Sequence, residues 1–315
     1  ASDVYKRQVI ICVFFLITGF SCGKAPSDSP VIRMALLKGP SAIAFSNLLD
    51  SVYCIQGKRF EIVLYDNPMK VQALMIQKKV DVAVLPLSSA VNLYNKNTGY
   101  SLLACPVWGN LFWISSGSRT DKSPFPIFLF GQGTTSDVLL KYLQSVSALQ
   151  DVYPDYTYST PQDLFRALMS RQISDAILPE PFVSLALQKD SSLFVRYDLA
   201  KEFSPNGFAQ TAVVVSSEIK QDIHLLNSVD SLLSLSVRKS TPENPETESR
   251  LIHYKMLPGK IDLATVYDRC RIEYRSRSSV RNSVDSLLQV IFKYYPKSIG
   301  GKFPDDRFYI SDNSI

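Results

Sequence analysis

From Val31 onward the chain alternates short apolar runs with stretches of helical periodicity. Val31 to Leu37 reads as a strand, and Ser41 to Cys54 as a helix through Ile43, Phe45, Leu48, Leu49 and Val52. Phe60 to Tyr65 reads as a second strand, Met69 to Lys79 as a helix, and Val82 to Leu85 as a third strand buried on both faces. Near-continuous apolar strands alternating with helices predict an α/β protein built from parallel βαβ units. A polar break rich in turn formers follows from Ser115 to Pro124. The alternation restarts with strands at 127–130, 156–159 and 175–178 and helices at 137–149, 161–171 and from Pro181. A second loose stretch, Phe203 to Gly207, precedes the β-branched strand Thr211 to Val215, and mostly helices follow, at 219–237, 246–254 and 283–295. The expected organisation is one unit from 31–116 with 211–315, and a second from 117–210.

The first residues are patterned differently. Lys6 and Arg7 precede an apolar run from Val9 to Ile17 that continues through Thr18, Gly19 and Phe20 to Ser21 and Cys22. Twelve helical residues span only about 18 Å, short of a hydrocarbon core of about 30 Å. Residues 1–21 therefore read as a secretory signal peptide rather than a membrane anchor. Gly19-Phe20-Ser21-Cys22 resembles a bacterial lipobox, although Gly19 and Phe20 depart from its preferred residues. That resemblance implies lipidation of Cys22. Residues 22–30 then form a polar Pro/Ser tether.

Composition narrows the function classes. With 46% hydrophobic and 20% charged residues the 315-residue chain is not a disordered one. A net charge of +5, without a basic motif, does not point to nucleic acid. Two histidines make a multi-His metal centre unexpected, and no metal or cofactor is called for. Cys54 and Cys105 fall at apolar positions and, with Cys270, are expected as buried thiols, one disulfide among them remaining open. The stretch Arg250 to Arg281 holds eight Lys or Arg against three acids, which reads as a solvated face or a docking surface.

The chemistry concentrates in loops that follow strands. Lys38-Gly39-Pro40-Ser41 follows the first strand, and Ser41 is placed to cap the next helix. Ser88 and Ser89 follow the third, and the crossover strand ends at Trp108-Gly109-Asn110. In the second unit Gly131-Gln-Gly-Thr134-Thr135-Ser136 and Pro179-Glu180-Pro181 each run from a strand into a helix. Ligands of open α/β sheets bind beyond the carboxyl ends of strands, and helix N-termini offer unsatisfied N–H groups there. The glycine run is neither a nucleotide P-loop nor a complete dinucleotide fingerprint.

The stretches 36–45, 78–96, 130–143, 173–188 and 298–309 resemble, in order, substrate-binding proteins of ABC importers of the nitrate/sulfonate/taurine type, including pyrimidine-binding relatives. The resemblance implies a two-lobed type II periplasmic-binding-protein fold with a ligand cleft between the lobes. It further implies a monomer, anchored at a bacterial membrane through Cys22, that closes on a small polar or anionic solute and delivers it to an ABC permease. By position the ligand contacts are Ser41, Ser88, Ser89, Asn110, Thr134, Thr135 and Glu180, with Lys38 and Trp108 at the rim. Glu180 in the cleft favours a cationic or amide-donor ligand end; facing solvent it is only a helix-start acid. The alternative is an enzyme on the same fold, but His224 and His253 fall in C-terminal helices, apart from these loops.

Overall fold

The computed structural model describes residues 30–117, 123–147, 149, 151–257 and 259–312. The expected signal peptide, the lipidation at Cys22 and all of the tether but Pro30 lie outside these residues.

The first lobe is built on a seven-stranded sheet. Within it β1 (Val31–Leu37) pairs parallel with β3 (Lys58–Tyr65) and with the central strand β4 (Val82–Pro86). The short β2 (Tyr53–Ile55) closes one edge, antiparallel to β3. On the other side β11 (Thr211–Ser216) runs antiparallel between β4 and β5 (Tyr100–Val107), and β12 (Ile272–Ser276) is the far edge. The second lobe carries five strands in the order β10 (Phe194–Asp198), β6 (Leu111–Ser115), β9 (Asp175–Pro179), β7 (Phe125–Phe128), β8 (Val152–Asp155). Here β7 is parallel to β8 and β9, while β6 and β10 are antiparallel additions. The parallel centre of each sheet is what alternating βα units predict; the antiparallel strands come from the chain crossing between lobes and back.

In the first lobe α1 (Pro40–Ala44), α2 (Pro68–Ile76) and α3 (Leu87–Asn95) follow β1, β3 and β4. In the second, α4 (Thr135–Val146), α5 (Pro161–Met169), α6 (Phe182–Lys189) and α7 (Leu199–Phe203) follow β7, β8, β9 and β10. The C-terminal part adds α8 (Ser217–Gln221), α9 (Ile223–Lys239), α10 (Pro245–His253), α11 (Leu263–Cys270) and α12 (Arg281–Tyr294). Among the described residues no helix is long and apolar enough to cross a membrane.

Three local expectations are corrected. The helix expected over 41–54 stops at Ala44, and after a 3-10 turn the chain enters β2. Gln56 and Gly57 both take positive φ and close a two-residue hairpin with β3, which sets the strand in place of the helix. Cys54 is consequently exposed on an edge strand; Cys105 and Cys270 are buried, and all three are free thiols. The strand expected at 156–159 lies at 152–155, because Asp155 accepts from Thr157 N and Oγ1 and turns the chain. The helix expected over 219–237 breaks at Asp222, whose side chain accepts from Leu225 N and caps α9.

The change of sheet between β5 and β6 falls at 108–110, ahead of the polar break at 115–124. There two crossing segments lie side by side: Phe208 N donates to Trp108 O at 3.1 Å and Gln210 N to Val107 O at 3.0 Å. Gly109 and Gly207 have φ of +130° and +73°, and a Cβ on Gly207 would lie 2.0 Å from Trp108 O. Only glycine permits both the backbone conformation and the approach. One apolar core runs through this crossing, joining Trp108, Leu111, Trp113 and Phe208 to both sheets.

Candidate ligand-binding site

Four helices begin at the carboxyl ends of inner parallel strands: α1 after β1, α3 after β4, α4 after β7 and α6 after β9. Their N-cap residues are Gly39, Pro86, Thr134 and Pro181, and none makes a side-chain cap bond. Ser41 is therefore not the cap expected of it; it lies inside α1 and is 4% exposed. The N–H groups opening α3 and α4 have no partner within their helices and carry partial positive charge.

Hydrogen bonds through the crossing bring these starts together. Leu87 N donates to Gln210 O at 3.3 Å, and Thr211 pairs with Pro86, so the return segment lies against the opening of α3 and Ser88. Glu180 N donates to Asn110 O at 2.9 Å, which fixes the α6 loop to the outgoing segment. Ser298 bridges the lobes: its Oγ donates to Gly133 O at 3.1 Å, while its carbonyl accepts from Asn92 of α3 at 3.3 Å. Three buried side-chain atoms in the crossing segments have no hydrogen-bond partner, namely Asn110 Oδ1, Gln210 Oε1 and Thr211 Oγ1. An unmade buried hydrogen bond costs about 1–3 kcal/mol, and seven further buried side-chain atoms among the described residues share this condition, Arg271 Nη1 beside Gly109 among them. Gln210 and Thr211, at the opening of the antiparallel return strand rather than in a βα loop, were not among the expected contacts.

The remaining expected residues have other partners. Thr134 Oγ1 donates to Gly131 O at 2.8 Å and contacts Ser136 Oγ, while Thr135 is buried at the first turn of α4. Ser89 Oγ accepts from Gln72 at 3.5 Å, and Lys38 pairs with Asp66 at 2.9 Å. Trp108 is not at the rim: it is 1% exposed, its indole N–H donates to Glu273 O, and Arg275 lies over its ring at 4.0 Å. That face is already occupied and cannot stack on a ligand.

Glu180 faces neither solvent nor an open cleft. It is 1% exposed, accepts from Ser184 N and Oγ, and pairs across the lobes with Arg269 of α11 at 3.4 Å. Burial raises its carboxyl pKa to about 6, outweighing the lowering by Ser184 and Arg269. A second pair across the lobes, Arg271 with Asp198 at 2.6 Å, flanks it. The basic stretch 250–281 is thus largely engaged, Arg250, Arg275, Arg277 and Arg281 also meeting carboxylates.

A cavity of about 670 Å³ lies at the other end of the first sheet, where β5 begins and β11 has ended. Lys220 on its wall donates to Ser101 Oγ and Arg307 O. Among the described residues no group of three or more His, Cys, Asp or Glu is placed to hold a metal ion.

Comparison with known proteins decides the family. An ABC transporter structure from Parabacteroides distasonis is 33% identical, covering 90% of this chain and 99% of that one, with a TM-score of 0.80. The chain belongs to the substrate-binding proteins of ABC transporters. Two further ABC-importer components share the fold. The periplasmic aliphatic sulphonate-binding protein SsuA of Escherichia coli is 13% identical over 89% of this chain and 91% of its own, with a TM-score of 0.70. A ligand-binding component of an ABC-type import system from Staphylococcus aureus, with zinc bound, is 14% identical over 90% and 96%, at 0.64. No protein-family model matches the sequence, and no curated protein does. The helix starts and crossing segments of this substrate-binding protein are thus arranged on a two-lobed importer fold.

Proposed function

We propose that this substrate-binding protein captures a small polar or anionic solute at the crossing, between the openings of α3 and α4, and hands it to a membrane permease. The observation that carries the reading is the trio of unpartnered buried atoms, Asn110 Oδ1, Gln210 Oε1 and Thr211 Oγ1, beside helix starts that lack side-chain caps. Ser41, Ser88, Thr134 and Thr135 would supply further polar contacts, and the lobes, divided at 108–110 and 204–210, would close over the solute. Removal of residues 1–21 and lipid on Cys22 would hold a monomer outside the cytoplasmic membrane. The sulphonate named for the Escherichia coli neighbour makes organic anions one class to screen.

Native mass spectrometry of freshly purified mature protein, followed by a thermal-shift screen of sulfonates, amino acids and pyrimidines, tests the reading. A bound solute released on denaturation, with Cys22 lipidated, is the expected result; a stoichiometric ligand insensitive to Asn110→Ala and Thr211→Ala would relocate the site. The enzyme alternative has a separate check. His224 and His253 are exposed on α9 and α10, so His224→Ala and His253→Ala should leave solute affinity unchanged. Loss of a turnover in either variant would favour catalysis.

A further inference from the structure

We propose that the cavity at the far end of the first sheet is a second binding site, separate from the cleft, for a small organic anion with a carboxylate or phosphate head and a flat apolar body. Its volume of about 670 Å³ falls within the range of about 300–1,000 Å³ usual for small-molecule sites. It opens where β5 begins and β11 has ended, whereas α1 and α3 start at the opposite end of that sheet. One wall comes from the stretch 302–307, which takes no part in the cleft. Asn95 of α3 fixes this wall, its Nδ2 donating to Ile299 O at 2.6 Å and to Lys302 O at 2.8 Å.

Three cations and one acid face the cavity, Lys220, Lys302 and Arg307 against Asp305. Asp305 is already satisfied: Arg307 pairs with it at 2.6 Å and the Tyr94 hydroxyl donates to it. Two further acids, Asp81 and Glu218, line an adjoining hollow of about 100 Å³. Lys220 is half-buried, and its ammonium donates only to neutral oxygens, Ser101 Oγ at 2.9 Å and Arg307 O. An ammonium has three donors, so one is left for the cavity. Burial pulls the Lys220 pKa below the ordinary lysine value, as for a charge short of both water and a counter-ion. Lys302 is exposed and pairs with no carboxylate among the described residues. In the same cavity the Tyr94 ring and Phe303, which is 42% exposed, offer apolar surface. An oxyanion at Lys220 and Lys302 supplies the missing counter-charge, and a flat body covers the exposed ring.

Calorimetry with phenyl phosphate and benzoate, and with benzylamine as a cation of similar shape, tests this on wild type, Lys220→Gln, Lys302→Gln and the cleft variant Ser88→Ala/Thr135→Ala. The expected result is binding of at least one of the two anions to wild type, about tenfold or more tighter than benzylamine, and retained in the cleft variant. Lys220→Gln should weaken that binding by about tenfold or more, and Lys302→Gln, which is exposed, by about threefold. Lys302→Gln decides the matter should Lys220→Gln not fold. Failure of both anions to bind wild type, benzylamine binding as tightly as they do, or affinity unchanged in the Lys variants would overturn the proposal. Anion binding lost in Ser88→Ala/Thr135→Ala and kept in the Lys variants would belong to the cleft, overturning this site while leaving the cleft reading in place.

Discussion

Within each sheet, the helices that follow inner parallel strands and those that follow outer ones are finished differently. After the outer strands β3 and β8, α2 and α5 are capped by Asn67 and Thr160, whose side chains accept from Met69 N and Asp163 N. After the inner strands β1, β4, β7 and β9, the N-caps Gly39, Pro86, Thr134 and Pro181 accept nothing with their side chains. Elsewhere Asp198, Ser216, Asp222, Asn244 and Asp262 cap α7 to α11 in the ordinary way. A side-chain cap is worth about 1 kcal/mol, so leaving the starts of α1, α3 and α4 without one forgoes a few kcal/mol of local stabilisation, whereas at α6 the Glu180 side chain accepts from Ser184 N. Placed together at a lobe crossing, such starts make sense where a solute provides the missing acceptor or hydroxyl contacts on binding.

The largest effect that separates the two kinds of helix start is on affinity. Replacing Ser88 and Thr135 together by Ala should weaken solute binding by roughly one to three orders of magnitude, since each hydrogen bond contributes about 0.5–1.5 kcal/mol and up to about 3 with a charged partner. Urea unfolding of the same variant should barely move, because neither hydroxyl makes a cap bond. Unchanged affinity measured by calorimetry would break the comparison, because open helix starts would then not be binding elements.

Much of this was legible beforehand, and the gaps have physical causes. The strand at 82–85 is apolar on both faces, and its residues alone mark β4 as an inner strand. The loops at 38–41, 86–89, 131–136 and 179–181 were identifiable as helix openings because glycine, proline and hydroxyl residues end apolar runs there. Which hydroxyl caps and which does not was hidden, since Ser41 and Thr160 look alike in sequence but only Thr160 meets an N–H group. The fate of Glu180 was equally hidden: its partner Arg269 lies 89 residues away in α11, a helix the periodicity did not bring out. Trp108 was misplaced for the same reason, its ring being covered by Arg275 from β12.

A smaller effect distinguishes the two inner starts of the second lobe that hold acids. The Glu180 carboxyl is raised from 4.5 to about 6 by burial, so between those values the folded protein keeps a proton that the unfolded chain has lost. Its contribution to stability is full below about 4.5 and is lost as pH rises through about 6, an amount of about 2 kcal/mol. Glu180→Gln retains an acceptor for Ser184 and Arg269 but cannot titrate. Chemical denaturation across that window should show the decline in wild type and a profile flatter by about 2 kcal/mol in the variant. Parallel profiles would mean that Glu180 is solvated and that the Arg269 contact does not seal the lobes.

The smallest effect comes from an outer start, and it is the control for the rest. Thr160 caps α5 reciprocally with Asp163: Asp163 N donates to Thr160 Oγ1 at 3.1 Å while that hydroxyl donates to the Asp163 carboxylate at 2.6 Å. Thr160→Ala removes both bonds from an exposed turn, where water replaces part of the loss, and should lower stability by about 1 kcal/mol. Solute affinity should stay within a factor of about two, because α5 follows the β8 edge strand and Thr160 accepts from Asp163 N rather than from a solute. Urea midpoints and calorimetry on the same preparation give both numbers. A loss of affinity comparable to that of the Ser88/Thr135 pair would show that capped and open starts serve the solute alike, and the distinction drawn between inner and outer strands would not hold.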